Sequence, residues 1–313
     1  MQDSNQSKNY ERFTAPIMVE IAAPHTWAAS ILPVIVATAL AAVTNPPLSP
    51  LMIFVLVCIT ILMQSSVNSF NDYYDFVKGN DSIEDCPDPH DAALIYHQIN
   101  PKSVLRFAIA LLVLAFVLGI YVILIAGIIP LVIGLIGAFF VVVYSAGKLP
   151  ISYLPIGELV SGFVMGGLIT LASYQALTLE FSWWALLWAI PLICGIGLIM
   201  FTNNTCDIEK DMEAKRNTLA VCLGRDKARK VYHAILLIWI ASIILLIGIF
   251  FVKGLILMPF MLLLAYPQFN AIWTNPLNIE TRMSALPQIL GLNITLGLFY
   301  AASIYASAAL VLI

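Results

Sequence analysis

Long unbroken apolar runs constrain this 313-residue chain more than any other feature. They fall at about 17–43, 51–67, 104–126, 128–145, 156–177, 183–201, 231–252, 255–273 and 286–311. A helix needs about twenty apolar residues to cross a ~30 Å hydrocarbon core, and most of these runs reach that length. Strands of a membrane barrel would alternate over shorter segments, whereas these runs are continuous. Only helices and closed barrels satisfy their backbone groups in lipid. The expected fold is therefore an all-α integral membrane bundle of nine transmembrane helices in the lipid bilayer, one domain over 1–313. Composition agrees, with 61% apolar and 11% charged residues, against roughly 25% charged in soluble domains. A net charge of −3 gives no reason to expect a nucleic-acid partner. The five cysteines form no C-x-x-C pair and read as reduced packing residues. Pro24 and Pro33 interrupt the first run, which requires neighbours to satisfy the freed carbonyls. The first sixteen residues are polar, and the run that follows is too long for a cleavable signal.

Charge placement orients the bundle. With nine spans, fourteen of the fifteen Lys and Arg residues fall on one side, leaving Lys253 opposite. Positive charge marks the cytoplasmic side. This puts residues 1–16 and the loops 71–102 and 203–230 in the cytoplasm of a cell-membrane protein, and the C-terminus outside. Seventeen of the eighteen acids follow the same geography, Glu180 being the exception. Acids contribute little to topology, so their placement asks for another cause.

Two acid clusters supply one. The first, N-S-F-N-D-Y-Y-D-F-V-K-G-N-D, runs from Asn68 to Asp81 at the end of the second apolar run. On a continuing helix Asn68, Asp72 and Asp75 share a face, and Asn71 lies one turn from Asp75. The second runs from Asn203 to Thr218, with Asn203, Asp207 and Asp211 spaced by four. Like charges at that spacing repel, so cations are expected between the clusters. Hard oxygen ligands without nearby His or Cys suit Mg²⁺, which takes a few carboxylates together with phosphate oxygens and water. A single cluster could be a solvated loop. Two at equivalent helix ends, accompanied by Lys78, Lys148, Lys215 and Arg216, point to a receptor for a diphosphate whose tail lies in the membrane.

With these motifs the chain resembles the UbiA superfamily of intramembrane prenyltransferases, whose nine-helix bundles carry Asp-rich motifs after helices 2 and 6. Asn71-Asp72-Tyr73-Tyr74-Asp75 matches the first motif, and Asn203-x-x-x-Asp207-x-x-x-Asp211 the second. Tyr144-Ser145-Ala146-Gly147-Lys148 resembles the Tyr-x-x-x-Lys element after helix 4. Within the superfamily the chain is most similar to the 1,4-dihydroxy-2-naphthoate prenyltransferases of menaquinone synthesis, through N-D-Y-Y-D-F-V-K-G, L-P-I-S-Y-L-P-I-G-E-L, N-N-T-C-D-I-E-K-D and T-L-A-V-C-L-G. The likeness implies Mg²⁺ held by Asp72, Asp75, Asp207 and Asp211. It also implies a polyprenyl diphosphate donor, an aromatic acceptor, and Tyr144 and Lys148 at the reacting end. Asn68, Asn71, Lys78, Lys148, Asn203, Lys215 and Arg216 would bind substrate.

The sequence departs from the group in two places. Gly79 stands where many members carry a third acid, and the loop Asp88–Ser103 has no arginine where the naphthoate group has one. An anionic acceptor would then rely on a base such as His90, His97 or Lys102, and His97 is the expected substrate contact. His25 within the first run is a candidate, because ionisable groups in membrane spans are costly. Glu158 resembles the family's L-G-E element, and His233 reads as structural. Other acceptors in the superfamily's range are another aromatic acid, a porphyrinoid or a glycerol phosphate. A transporter would place its acids near the bilayer midplane, and these sit at helix ends.

Overall fold

A computed structural model describes residues 10–44, 47–79 and 93–309. Among them the only regular elements are helices, joined by turns and loops, with one isolated bridge between Glu11 and Ile99. The expected first span is two helices, α1 (Ala15–Ala22) and α2 (Ala28–Thr44), bent by 55°. Ala23 takes a left-handed conformation (φ 49°) ahead of Pro24, whose ring cannot donate to the α1 ladder. The carbonyl freed on Ala22 accepts bonds from Trp27 Nε1 and Asn68 Nδ2, both at 3.1 Å. Neighbours thus satisfy the break, as the sequence required.

Helix α3 (Pro50–Lys78) starts where Ser49 accepts from the Met52 amide and ends at Gly79, with φ of 72°. Its 29 residues rise about 44 Å, more than a ~30 Å hydrocarbon core. The helix therefore has length to spare, and its last turns carry Asn71, Asp72 and Asp75 on the same unbroken element. Helix α4 (Pro101–Ala126) is capped by Asn100 and turns tightly through Gly127 (φ 80°) into α5 (Ile129–Val143).

Helix α6 (Gly157–Thr178) contains a π-helical stretch, Gly162–Leu168. There Gly162 and Gly166 let it lie against the backbone of α7 (Ile190–Cys206), since a Cβ on Gly162 would stand 2.4 Å from the Ile193 carbonyl oxygen. Helix α7 ends at Asp207 and restarts as α8 (Ile208–Glu213). The i to i+4 bonds Asn203–Asp207 and Asp207–Asp211 nevertheless persist at 3.0 and 2.8 Å, so the acid stripe survives the break. Helices α9 (Arg225–Phe250), α10 (Val252–Thr274) and α11 (Ile279–Ala308) complete the bundle.

Among the described residues six helices are long and apolar enough to cross a membrane, seven if the bent α1–α2 pair is one span. The expected count of nine is not reached, because α5 and α7 have only 15 and 17 residues. The protein is a multi-pass membrane protein. Its core joins α2, α7, α9 and α11 through Leu40, Phe201, Tyr232, Trp239 and Tyr300. Large apolar side chains such as Leu124 and Leu263 face outward, where a soluble protein would carry charge. Cys58, Cys194, Cys206 and Cys222 are free, while Cys86 lies outside the described residues.

Candidate active site

A cavity of about 430 Å³ opens among α3, α4, α5, α6, α7 and the start of α11. One end is polar, and the remainder is lined by side chains such as Leu56, Met63, Phe116, Ile123, Phe140 and Leu168. The end of α3 brings Asn68, Asn71, Asp72 and Asp75 to the polar end. The α7–α8 junction brings Asn203, Asp207 and Asp211, and the following loop brings Arg216. Tyr144, just beyond α5, also lines it. Residues far apart in sequence meet here because the last turns of α3 and the end of α7 line the same cavity.

Asp75 and Asp211 are held in a network. Asn71 Nδ2 donates to Asp75 at 3.0 Å, and its Oδ1 accepts from Ser145 at 3.0 Å. Lys78 reaches from α3 to the Ser145 carbonyl at 2.9 Å and lies 4.7 Å from the centre of the Tyr153 ring. The guanidinium of Arg216 lies over the same ring at 5.0 Å, with its Nε 3.5 Å from Asp211. Thr218 donates to the other Asp211 oxygen at 3.1 Å.

Asp211 is almost fully buried. Burial pushes its carboxyl up to about 6, against the pull of Arg216. Burial opposes the charge on Arg216, but Asp75 and Asp211 outweigh it and hold the guanidinium above its ordinary pKa. Arg225 grips Glu209 through both oxygens, which keeps that carboxyl below its usual range, and also donates to the Leu277 carbonyl.

Several expected residues stand elsewhere. Lys78 is outside the cavity wall, near enough to Asp75 to feel its charge. Lys148 and Lys215 are exposed and outside the wall, Lys215 in a left-handed turn (φ 55°). His97 is also outside it: its Nε2 lies 3.1 Å from Glu20 on α1, so it ties the segment before α4 to the first helix. His90 is outside the described residues. His25 lines the cavity. His233 stacks on Trp273 at 4.0 Å and bonds its carbonyl, a packing role. Glu158 is buried and accepts from Asn204, itself in the cavity wall, at 2.8 Å.

Sequence reasoning missed Arg282 and Lys210, which both line the cavity. Lys210 could have been found, since it lies inside the second motif. Arg282 had no local signal.

Among the described residues no three His, Cys, Asp or Glu side chains form a ready metal cage. That suits Mg²⁺, which uses one or two carboxylates with phosphate oxygens and water rather than an all-protein shell. The donor set, hard carboxylate oxygens beside guanidinium groups, fits the ion in company with a diphosphate.

The UbiA prenyltransferase family model matches residues 30–282. The chain is 32% identical to the 1,4-dihydroxy-2-naphthoate octaprenyltransferase of Bacillus subtilis (strain 168), over 77% of this chain and 80% of that one. It is 29% identical to UbiA prenyltransferase domain-containing protein 1 of Rattus norvegicus, over 68% of this chain and 62% of that one, so it spans less than two thirds of the rat protein. In fold it is similar to a UbiA homolog from Archaeoglobus fulgidus bound to DMAPP and Mg²⁺. The TM-score is 0.64 and the identity 15%, over 91% of this chain and 99% of that one.

Proposed function

The chain belongs to the UbiA prenyltransferase family, and on that premise we propose that it transfers a polyprenyl group from a polyprenyl diphosphate to 1,4-dihydroxy-2-naphthoate with Mg²⁺ as its metal. The observation that carries this reading is the convergence of both acid pairs and Arg216 on one mainly apolar cavity. Identity to the Bacillus subtilis enzyme supports the naphthoate acceptor.

Asp72 and Asp75 on one side, and Asp207 and Asp211 on the other, would hold the metal with Asn71 orienting Asp75. Bound there, Mg²⁺ supplies Lewis-acid neutralisation of the departing diphosphate. Arg216 and the Tyr144 phenol donate to the same oxygens, and Lys78 adds positive charge from outside the cavity wall. The allylic C–O bond breaks with its electron pair going to diphosphate. The carbon left behind is cationic, so Met63, Phe116 and Phe140 protect it by excluding water, and the two phenylalanines offer aromatic rings to the charge. A nucleophilic ring carbon of the acceptor forms the new C–C bond and sheds its carboxylate as CO₂. We place the polar end at the cytoplasmic face, supported by the basic residues clustered in those loops.

The test is turnover by purified protein with a long-chain prenyl diphosphate and Mg²⁺. Dihydroxynaphthoate should be prenylated in preference to hydroxybenzoate, a porphyrinoid or glycerol phosphate, and preference for any of those would overturn the acceptor assignment.

A further inference from the structure

Arg282 enters the site from the start of the last helix, 75 positions from Asp207. Its Nε lies 2.9 Å from one Asp207 oxygen and 3.1 Å from the other. A terminal nitrogen donates to Asn203 Oδ1 at 2.9 Å. All three residues line the cavity, and the guanidinium is largely shielded, its side chain 16% exposed. The guanidinium thus occupies the carboxylate that the proposed metal would need.

We propose that Arg282 is an exchange residue, which holds Asp207 in the ligand-free protein and passes to the diphosphate when metal and donor bind together. A dication at Asp207 shares the carboxylate with the guanidinium and repels it. Metal alone must therefore push Arg282 off without offering it a new partner. Diphosphate oxygens are such a partner, since the guanidinium fork matches phosphate in a bidentate way. Metal and diphosphate then bind more tightly together than apart, and the enhancement is reciprocal. The consequence is that the acid pair stays neutralised until a donor is present. This inference rests on the metal reading proposed above.

The experiment is calorimetric titration of the full chain in detergent with Mg²⁺, with and without inorganic pyrophosphate. It compares wild type, Arg282→Gln, Arg282→Lys and Asp207→Asn, each checked for folding by thermal melting. Pyrophosphate should tighten Mg²⁺ binding by about tenfold or more in wild type, within the usual range of coupling between sites. Arg282→Gln should bind Mg²⁺ alone several-fold more tightly than wild type (~5-fold) and lose most of the enhancement. Arg282→Lys keeps the charge without the fork, should fall between the two, and carries the comparison if the glutamine variant does not fold. If Arg282→Gln matches wild type in both titrations, the exchange role is overturned. The Asp207→Asn arm separates the two ideas. Loss of Mg²⁺ binding there with a silent Arg282→Gln removes this inference alone, whereas undiminished Mg²⁺ binding in Asp207→Asn removes the metal site itself.

Discussion

Asp211 sits where burial and a guanidinium pull in opposite directions, and burial wins, raising its carboxyl to about 6. A carboxyl raised above its unfolded value stabilises the metal-free fold below the ordinary carboxylate range, and that stability is lost as pH rises through about 6. Metal-free protein should therefore melt at a lower temperature at pH 7 than at pH 5. A bound cation selects the ionised form, so Mg²⁺ affinity should fall as pH drops through about 6. Calorimetry and thermal melting across that range check both, and Asp211→Asn should flatten both slopes. Residues at this scale were legible in proportion to how local their chemistry is. Asn71, Asp75, Asp207 and Asp211 announce themselves by i, i+4 spacing on two helix ends. Arg282 could not, because its partner is 75 positions away. The contact of His97 was equally illegible, because nothing in its neighbourhood reveals that Glu20 on another helix lies 3.1 Å from it.

Among the elements, the bend between α1 and α2 and the α6–α7 contact decide where the site residues stand. Asn68 was expected to bind substrate. It lines the cavity, and its amide also donates to Ala22 O at 3.1 Å and Thr26 Oγ1 at 3.0 Å, bracing the bend. Asn68→Ala should cost about 1–2 kcal/mol of stability, the usual effect of removing one partner of a shielded hydrogen bond, measured by thermal or denaturant unfolding in detergent. At the second contact, Gly162→Ala would add a Cβ 2.4 Å from a backbone oxygen of α7. Overpacking of that kind costs typically 1–3 kcal/mol and should outweigh the ~1 kcal/mol gain in helix propensity. A melting temperature at or above wild type would show that α6 and α7 do not pack this closely. The apolar runs located most of the helices, and Pro24 located the break. They did not reveal that α5 and α7 are short, because apolar residues continue past Val143 and a separate short helix, Trp184–Trp188, precedes α7 within the same run.

Taken as one molecule, the bundle gathers the ends of α3 and α7 at one pole and leaves an apolar cavity beneath them. If that pole is cytoplasmic, a reporter inserted at Lys227 should read as cytoplasmic and one inserted at Lys253 as external; the reverse pattern would invert the bundle. This arrangement was foreseeable because polar motifs at two helix ends must share a face of the membrane. The bend of the first span was foreseeable only in part, since its direction depends on Asn68 and Trp27 finding the same carbonyl. The account's central claim is that both acid clusters act on one diphosphate. It is tested most directly by prenyl transfer from a long-chain prenyl diphosphate in the presence of Mg²⁺, using purified Asp75→Asn and Asp207→Asn beside wild type. Each substitution alone should lower the rate by about 10²–10³-fold, the scale of losing one group that stabilises charge in the transition state, with the protein still folded. Wild-type turnover in either variant would contradict the claim.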